Sequence, residues 1–146
     1  VKELLPLATL LTPNIPEAEI LAGIKIQNAD DIKAAAAAIS QLGCKYVLIK
    51  GGHFTGTEKI DYLFEDGKQK TSYRGISIDT RNTHGTGCTL SSAITSYLAR
   101  EFDMNTAIAM AKTYLSGAIL AGKGVNIGEG HGPVNHFYEP KSLFIK

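Results

Sequence analysis

No stretch of about 18 consecutive apolar residues occurs in the chain, which excludes a membrane-spanning helix from the reading. The opening Val1-Lys2-Glu3-Leu4-Leu5-Pro6 lacks the long apolar region and small-residue cleavage site of a signal peptide, so a cytoplasmic protein is expected. Cysteine is scarce. Cys44 and Cys88 are the two present, in unlike surroundings and in neither a Cys-x-x-Cys pair nor a disulfide framework, which fits a reducing compartment. No sign of charge dominates, since 15 basic residues meet 14 acidic ones, and no basic run or aromatic-rich basic patch is found. Nucleic acid and anionic membrane therefore drop out as partners, and a small molecule takes their place. Neither a dinucleotide fingerprint nor a Gly-Lys-Ser/Thr after a glycine loop occurs, which excludes the commonest nucleotide-binding motifs.

What is present reads as one α/β domain over residues 1–146, with a mostly parallel sheet, covering helices and an antiparallel hairpin. Leu7 to Leu11 is a short apolar run stopped by Thr12-Pro13-Asn14, the pattern of a buried strand feeding a turn. Pro16 suits the first turn of a helix, which Gly23 should stop. Asn28 is a cap for a second helix, with Asp30 and Asp31 in its positive first turn and an alanine run reaching Ile39 before Gly43. Tyr46-Val47-Leu48-Ile49 is another buried strand. Lys59 to Phe64 and Lys70 to Ile78, joined around Glu65-Asp66-Gly67, form the hairpin. Two amphipathic helices follow, one through Leu90, Ala93, Ile94 and Tyr97, the other from Met104 through Ile119. Gly122 to Pro133, glycine-rich and without period, is a loop that moves or touches a ligand.

The segment with the most chemistry is Asn82-Thr83-His84-Gly85-Thr86-Gly87-Cys88-Thr89, where a loop of small residues runs into a helix. Glycines let the backbone approach an anion, and the unpaired amides of a first helical turn, with the helix dipole, favour negative charge. The same position lowers the cost of a thiolate at Cys88. With a terminal phosphate on the Gly85 to Gly87 amides and a substrate hydroxyl beside it, Cys88 is the base that activates the attacking oxygen. The plainer alternative is a small buried cysteine at a helix start.

Two further elements lie beyond strand ends, where open parallel sheets place ligands. Asn14-Ile15-Pro16-Glu17 offers an amide and a carboxylate able to hold a hydrated Mg²⁺, or else a turn cap and a dipole-complementing acid. Lys50-Gly51-Gly52-His53 offers a point charge that clamps phosphate, or else a solvated lysine. His131 and His136 have a spacing found in some zinc sites, yet no paired cysteines accompany them, so metal binding by histidine is not expected. Asp61 and Asp66 read as hairpin surface charges.

Taken together, Thr12-Pro13-Asn14 with Glu17, Lys50-Gly51-Gly52-His53, Thr83-His84-Gly85-Thr86-Gly87-Cys88 and His131-Gly132-Pro133-Val134 resemble the hydroxymethylpyrimidine/phosphomethylpyrimidine kinases of thiamine biosynthesis. The Thr-His-Gly-Thr-Gly-Cys run is the most specific part, because ribokinase-like sugar kinases usually carry aspartate where Cys88 stands. The resemblance implies a ribokinase-like fold and transfer of the γ-phosphate of ATP to 4-amino-5-hydroxymethyl-2-methylpyrimidine and then to its monophosphate. It also implies that Asn14 and Glu17 organise Mg²⁺, indirectly through water, and the phosphates, that Lys50 contacts phosphate, that Gly85, Thr86 and Gly87 form the anion hole, and that Cys88 is the base. A homodimer is implied for the intact protein.

Members of that family carry an amino-terminal half of comparable length, with the first strands and most of the pyrimidine pocket. This chain is therefore expected to be the carboxy-terminal portion of the fold, with an exposed sheet edge open to aggregation or pairing. The competing readings are a pyridoxal or pyridoxine kinase, whose members can also end the glycine loop in cysteine, and a non-catalytic nucleotide-binding fragment.

Overall fold

The computed structural model describes residues 3–52 and 58–140. His53, the last residue of the Lys50 motif, lies outside them. By packing, the chain divides into two compact units, the first ending at Ser77 and the second beginning at Ile78.

The first unit is a four-stranded sheet with two helices. Strand β1 (Leu10–Leu11) pairs parallel with β2 (Tyr46–Gly52), which pairs antiparallel with β3 (Glu58–Glu65), and β3 pairs antiparallel with β4 (Lys68–Ile76). The sheet is thus mixed, and in this portion of the fold its parallel pairing is confined, among the described residues, to β1 and β2. The expected opening strand is shorter than the apolar run. Leu5–Leu7 is a 3-10 turn with proline in its first positions, and Leu7 is exposed. Pro6 has a fixed φ and no amide hydrogen, so the chain enters the sheet only after that turn.

Helix α1 (Ile15–Ala22) ends at Gly23, whose φ of 68° is the left-handed closure that glycine adopts without strain. Helix α2 (Ala29–Ser40) begins at Asn28, as its sequence requires. Both helices lie against the sheet through a cluster that includes Ala18, Ile32, Ala36, Ile39, Val47, Ile49 and Phe64. Burial of each large member contributes roughly 1.5–3 kcal/mol, which makes this cluster the main reason the short α1 stays folded. The β3–β4 turn is Asp66-Gly67, with φ of 49° and 74°. Positive φ at both central residues matches the strand twist, hence the Asp-Gly pair.

The second unit is built on two helices, α3 (Thr86–Ala99) and α4 (Met104–Gly122), with long connecting segments at either side. Asp103 caps α4 by accepting from the amides of Asn105 and Thr106 at 3.0 and 3.1 Å. Among the described residues no helix is long and apolar enough to cross a membrane.

Candidate active site

In the second unit the Thr-His-Gly-Thr-Gly-Cys run does become a helix start. Gly85 is the N-cap, with φ 82° and ψ 4°, and it has no side chain with which to cap. Thr86, Gly87 and Cys88 are then the first three helical residues. Thr89 donates its amide to the Gly85 carbonyl at 2.8 Å, closing the first intrahelical bond, while the Thr86 amide reaches the Thr83 carbonyl at 3.4 Å. The amides of Gly87 and Cys88 lie in the turn where no intrahelical carbonyl can meet them. They are available to an anion, and the dipole of a 14-residue helix favours one there.

Cys88 is exposed. It faces a cavity of about 1050 Å³ in this unit, bordered also by His84, Gly85, Thr89, Tyr114 and His136. The plainer reading of Cys88 as a buried structural cysteine belongs instead to Cys44. That thiol is buried, sits 3.1 Å from the Tyr46 carbonyl oxygen, and is pushed up in pKa by its burial.

The loop from Gly122 to Pro133 is tied to the segment that precedes α3. Asn82, buried, donates its side-chain amide to the carbonyls of Gly122 and Val125, both at 2.6 Å. Arg81 donates to the Glu129 carbonyl at 2.7 Å, and the His84 amide donates to Gly132 at 3.1 Å. Gly132 has no room for a Cβ, because the Asn82 side chain occupies that space. Asn82 was legible only as the first residue of a motif. Its partners stand 40 and 43 residues away, so nothing local signals them.

In the first unit the structure brings Asn14, Glu17 and Lys50 together. The Lys50 amide donates to the Pro13 carbonyl at 2.9 Å, and Asn14 and Lys50 face each other as an isolated parallel bridge. Asn14 and Glu17 form a capping box. The Glu17 amide donates to Asn14 Oδ1 at 2.9 Å, and the Asn14 amide donates to Glu17 Oε2 at 2.8 Å. Both side chains remain exposed, and Oε1 of Glu17 stands outside the box. One fixed, solvent-facing carboxylate beside an amide suits an ion that keeps most of its waters, so the pair fits hydrated Mg²⁺ and would not enclose a bare cation.

Asp61 corrects the sequence reading. It is buried rather than a surface charge, and its carboxylate accepts from the Gly51 amide at 2.8 Å. Gly51 has φ 78°, and the register of β2 against β3 shifts between Ile49 and Gly52. Asp61 thus holds the irregularity in β2 that follows Lys50.

The mixed sheet with covering helices belongs to the ribokinase-like fold class. The sequence model of the phosphomethylpyrimidine kinase family matches residues 1–135, and the chain belongs to that family. It is 45% identical over 139 residues to the hydroxymethylpyrimidine/phosphomethylpyrimidine kinase of Rhizobium meliloti, covering 94% of this chain and 52% of that protein. It is 46% identical over 135 residues to the thiamine biosynthesis bifunctional protein ThiED of Geobacter sulfurreducens, covering 92% and 27%. Among solved structures, the ADP complex of Bacillus subtilis pyridoxal kinase superposes with a TM-score of 0.82 at 35% identity, over 94% of this chain and 51% of that one. Phosphomethylpyrimidine kinase from Clostridium difficile gives 0.63 at 46% identity, over 80% and 45%. The chain spans about half the length of the kinases it matches.

Proposed function

We propose that the protein carrying this chain transfers the γ-phosphoryl group of ATP to the hydroxymethyl oxygen of 4-amino-5-hydroxymethyl-2-methylpyrimidine, and then phosphorylates the monophosphate to the diphosphate. The observation that carries this reading is the helix start at Gly85, open to an anion, with the exposed Cys88 thiol in its first turn beside a large cavity. The amides of Gly87 and Cys88 receive the phosphoryl oxygens as charge builds on them. Cys88, as thiolate, takes the proton of the attacking hydroxyl while the new O–P bond forms and the bond to the β-phosphate oxygen breaks, releasing ADP. Lys50 supplies a point charge for phosphate. Asn14 and Glu17 would hold Mg²⁺ through its waters, and the ion, when bound, neutralises phosphate charge. The same reading makes the intact protein a cytoplasmic homodimer, which light scattering of that protein would test.

One observation favours a second acceptor. The ADP complex superposing at 0.82 is a pyridoxal kinase, which supports pyridoxal as an alternative substrate. ADP release by the intact protein that carries this chain, with Mg-ATP and each acceptor, decides. Turnover with the pyrimidine and its monophosphate supports the first reading. Preference for pyridoxal supports the second. Nucleotide binding by the intact protein without turnover is the behaviour of a non-catalytic nucleotide-binding module, and absence of binding to it overturns all three.

A further inference from the structure

Thr89, in the first turns of α3, makes two hydrogen bonds through one oxygen. Its Oγ1 lies 2.8 Å from the Gly85 carbonyl oxygen and 2.9 Å from Nε2 of His136. A hydroxyl has one hydrogen, and a carbonyl can only accept. The hydrogen must therefore lie on the Gly85 side, and the imidazole must be the donor, with its proton on Nε2. Thr89 is only 7% exposed, so water does not substitute easily for either partner.

The ring is delivered to this place by a segment fastened to α4. The Asn135 amide donates to the Ala118 carbonyl at 3.0 Å, and Tyr114 donates its hydroxyl to the His136 carbonyl at 2.9 Å. Tyr138 lies against Gly117 so closely that a Cβ there would overlap its ring. The Gly85 carbonyl, at the other end of the chain of contacts, accepts from both the amide and the hydroxyl of Thr89. Because a peptide unit is planar, holding that oxygen also sets the plane from which α3 begins.

We propose that His136 is a positioning residue of the anion-holding turn. By donating Nε2–H to Thr89 it fixes the hydroxyl that clamps the Gly85 carbonyl, and so aims the first-turn amides and Cys88. The functional meaning rests on the kinase reading; the clamp itself rests on the hydrogen bonds alone.

Nitrogen NMR of the histidine-labelled 146-residue chain, at a pH where the ring is neutral, should find His136 protonated on Nε2. In His136→Ala, amide exchange at Thr89 should quicken by roughly three- to tenfold, the worth of one neutral hydrogen bond, and Mg-ADP affinity should fall by a similar factor. His136→Gln keeps an N–H donor near the same place and should restore both. A ring protonated on Nδ1, or a Gln variant indistinguishable from the Ala variant, overturns the proposal. If the intact protein binds no Mg-ADP, yet the Nε2 proton and the Gln rescue of Thr89 exchange are found, the clamp is supported and the kinase reading sinks instead.

Discussion

The helices of the first unit and α3 of the second start in opposite ways. In the first unit, Asn14 and Asn28 close the starts of α1 and α2 with reciprocal capping boxes, so the helix-end amides are satisfied from within. In the second, α3 starts on Gly85, with no side-chain cap. The neighbouring α4 has Asp103 for its cap, so the bare start is particular to α3 and not to its unit. A side-chain cap contributes about 1 kcal/mol, and among the described α-helices α3 alone lacks one, as the proposed anion site requires. The charged groups of the sheet follow the closed pattern too. Glu65 receives Lys70 at 2.9 Å, the Tyr46 hydroxyl at 2.7 Å and Lys45 at 3.3 Å.

If the open start serves chemistry and the closed ones serve stability, substitutions should separate the two. The largest effect is expected for Cys88→Ala. Phosphoryl transfer should fall by roughly a hundred- to ten-thousandfold, the range for loss of a general base, while Mg-ADP affinity measured by calorimetry is retained. Unchanged turnover would remove Cys88 from the mechanism.

Gly85→Ala comes next. No atom lies close enough to obstruct the added methyl group, so the cost is that of a positive φ, about 1–2 kcal/mol in chemical denaturation. The anion affinity should drop with it as the turn shifts. Asn28→Ala should cost about 1 kcal/mol by the same denaturation assay. Nucleotide affinity should stay as it was, which is the contrast with Gly85. An equal loss of affinity in both variants would erase the distinction between the two kinds of helix start.

The smallest effect concerns Glu65. Lys70 first, then the Tyr46 hydroxyl and Lys45, hold its carboxyl down to about 2 from an ordinary 4.5. A carboxyl lowered by folding contributes stability that is complete above its unfolded value and fades as pH falls through the folded one. The contribution should thus be lost between pH 4.5 and about 2. Because these partners are solvent-facing ion pairs, the loss should be modest and weaker in high salt. Midpoints of denaturation for Glu65→Gln should show less acid dependence across that window than those of the unmodified chain.

Much of the local structure was legible in the residues. Pro16, Gly23, Asn28 and Asp66-Gly67 each act through their own backbone or through a neighbour two to four residues away, so the helix ends and the hairpin turn fell where these residues place them. Leu7 to Leu11 misled because apolarity alone does not distinguish a strand from a turn, and Pro6 turned its first part into one. The glycine motif announced an anion-binding loop, and the chain does place Gly85, Thr86, Gly87 and Cys88 at a helix start.

The residues that hold these elements in place were not legible. Asp61 reaches Gly51 across 10 residues, Asn82 reaches the glycine loop across 40 and more, and His136 reaches Thr89 across 47. By itself the sequence determined where helices begin and end, which turn joins the hairpin, and which small-residue loop opens a helix. Those outcomes depend on dihedral preferences and on partners within one helical turn. Only the tertiary structure decided that Asp61 is buried, that Asn82 pins a distant loop, and that His136 meets Thr89 in the turn beside Cys88. Such pairings depend on the path of the whole chain, and a buried polar group accepts whichever partner that path brings to it.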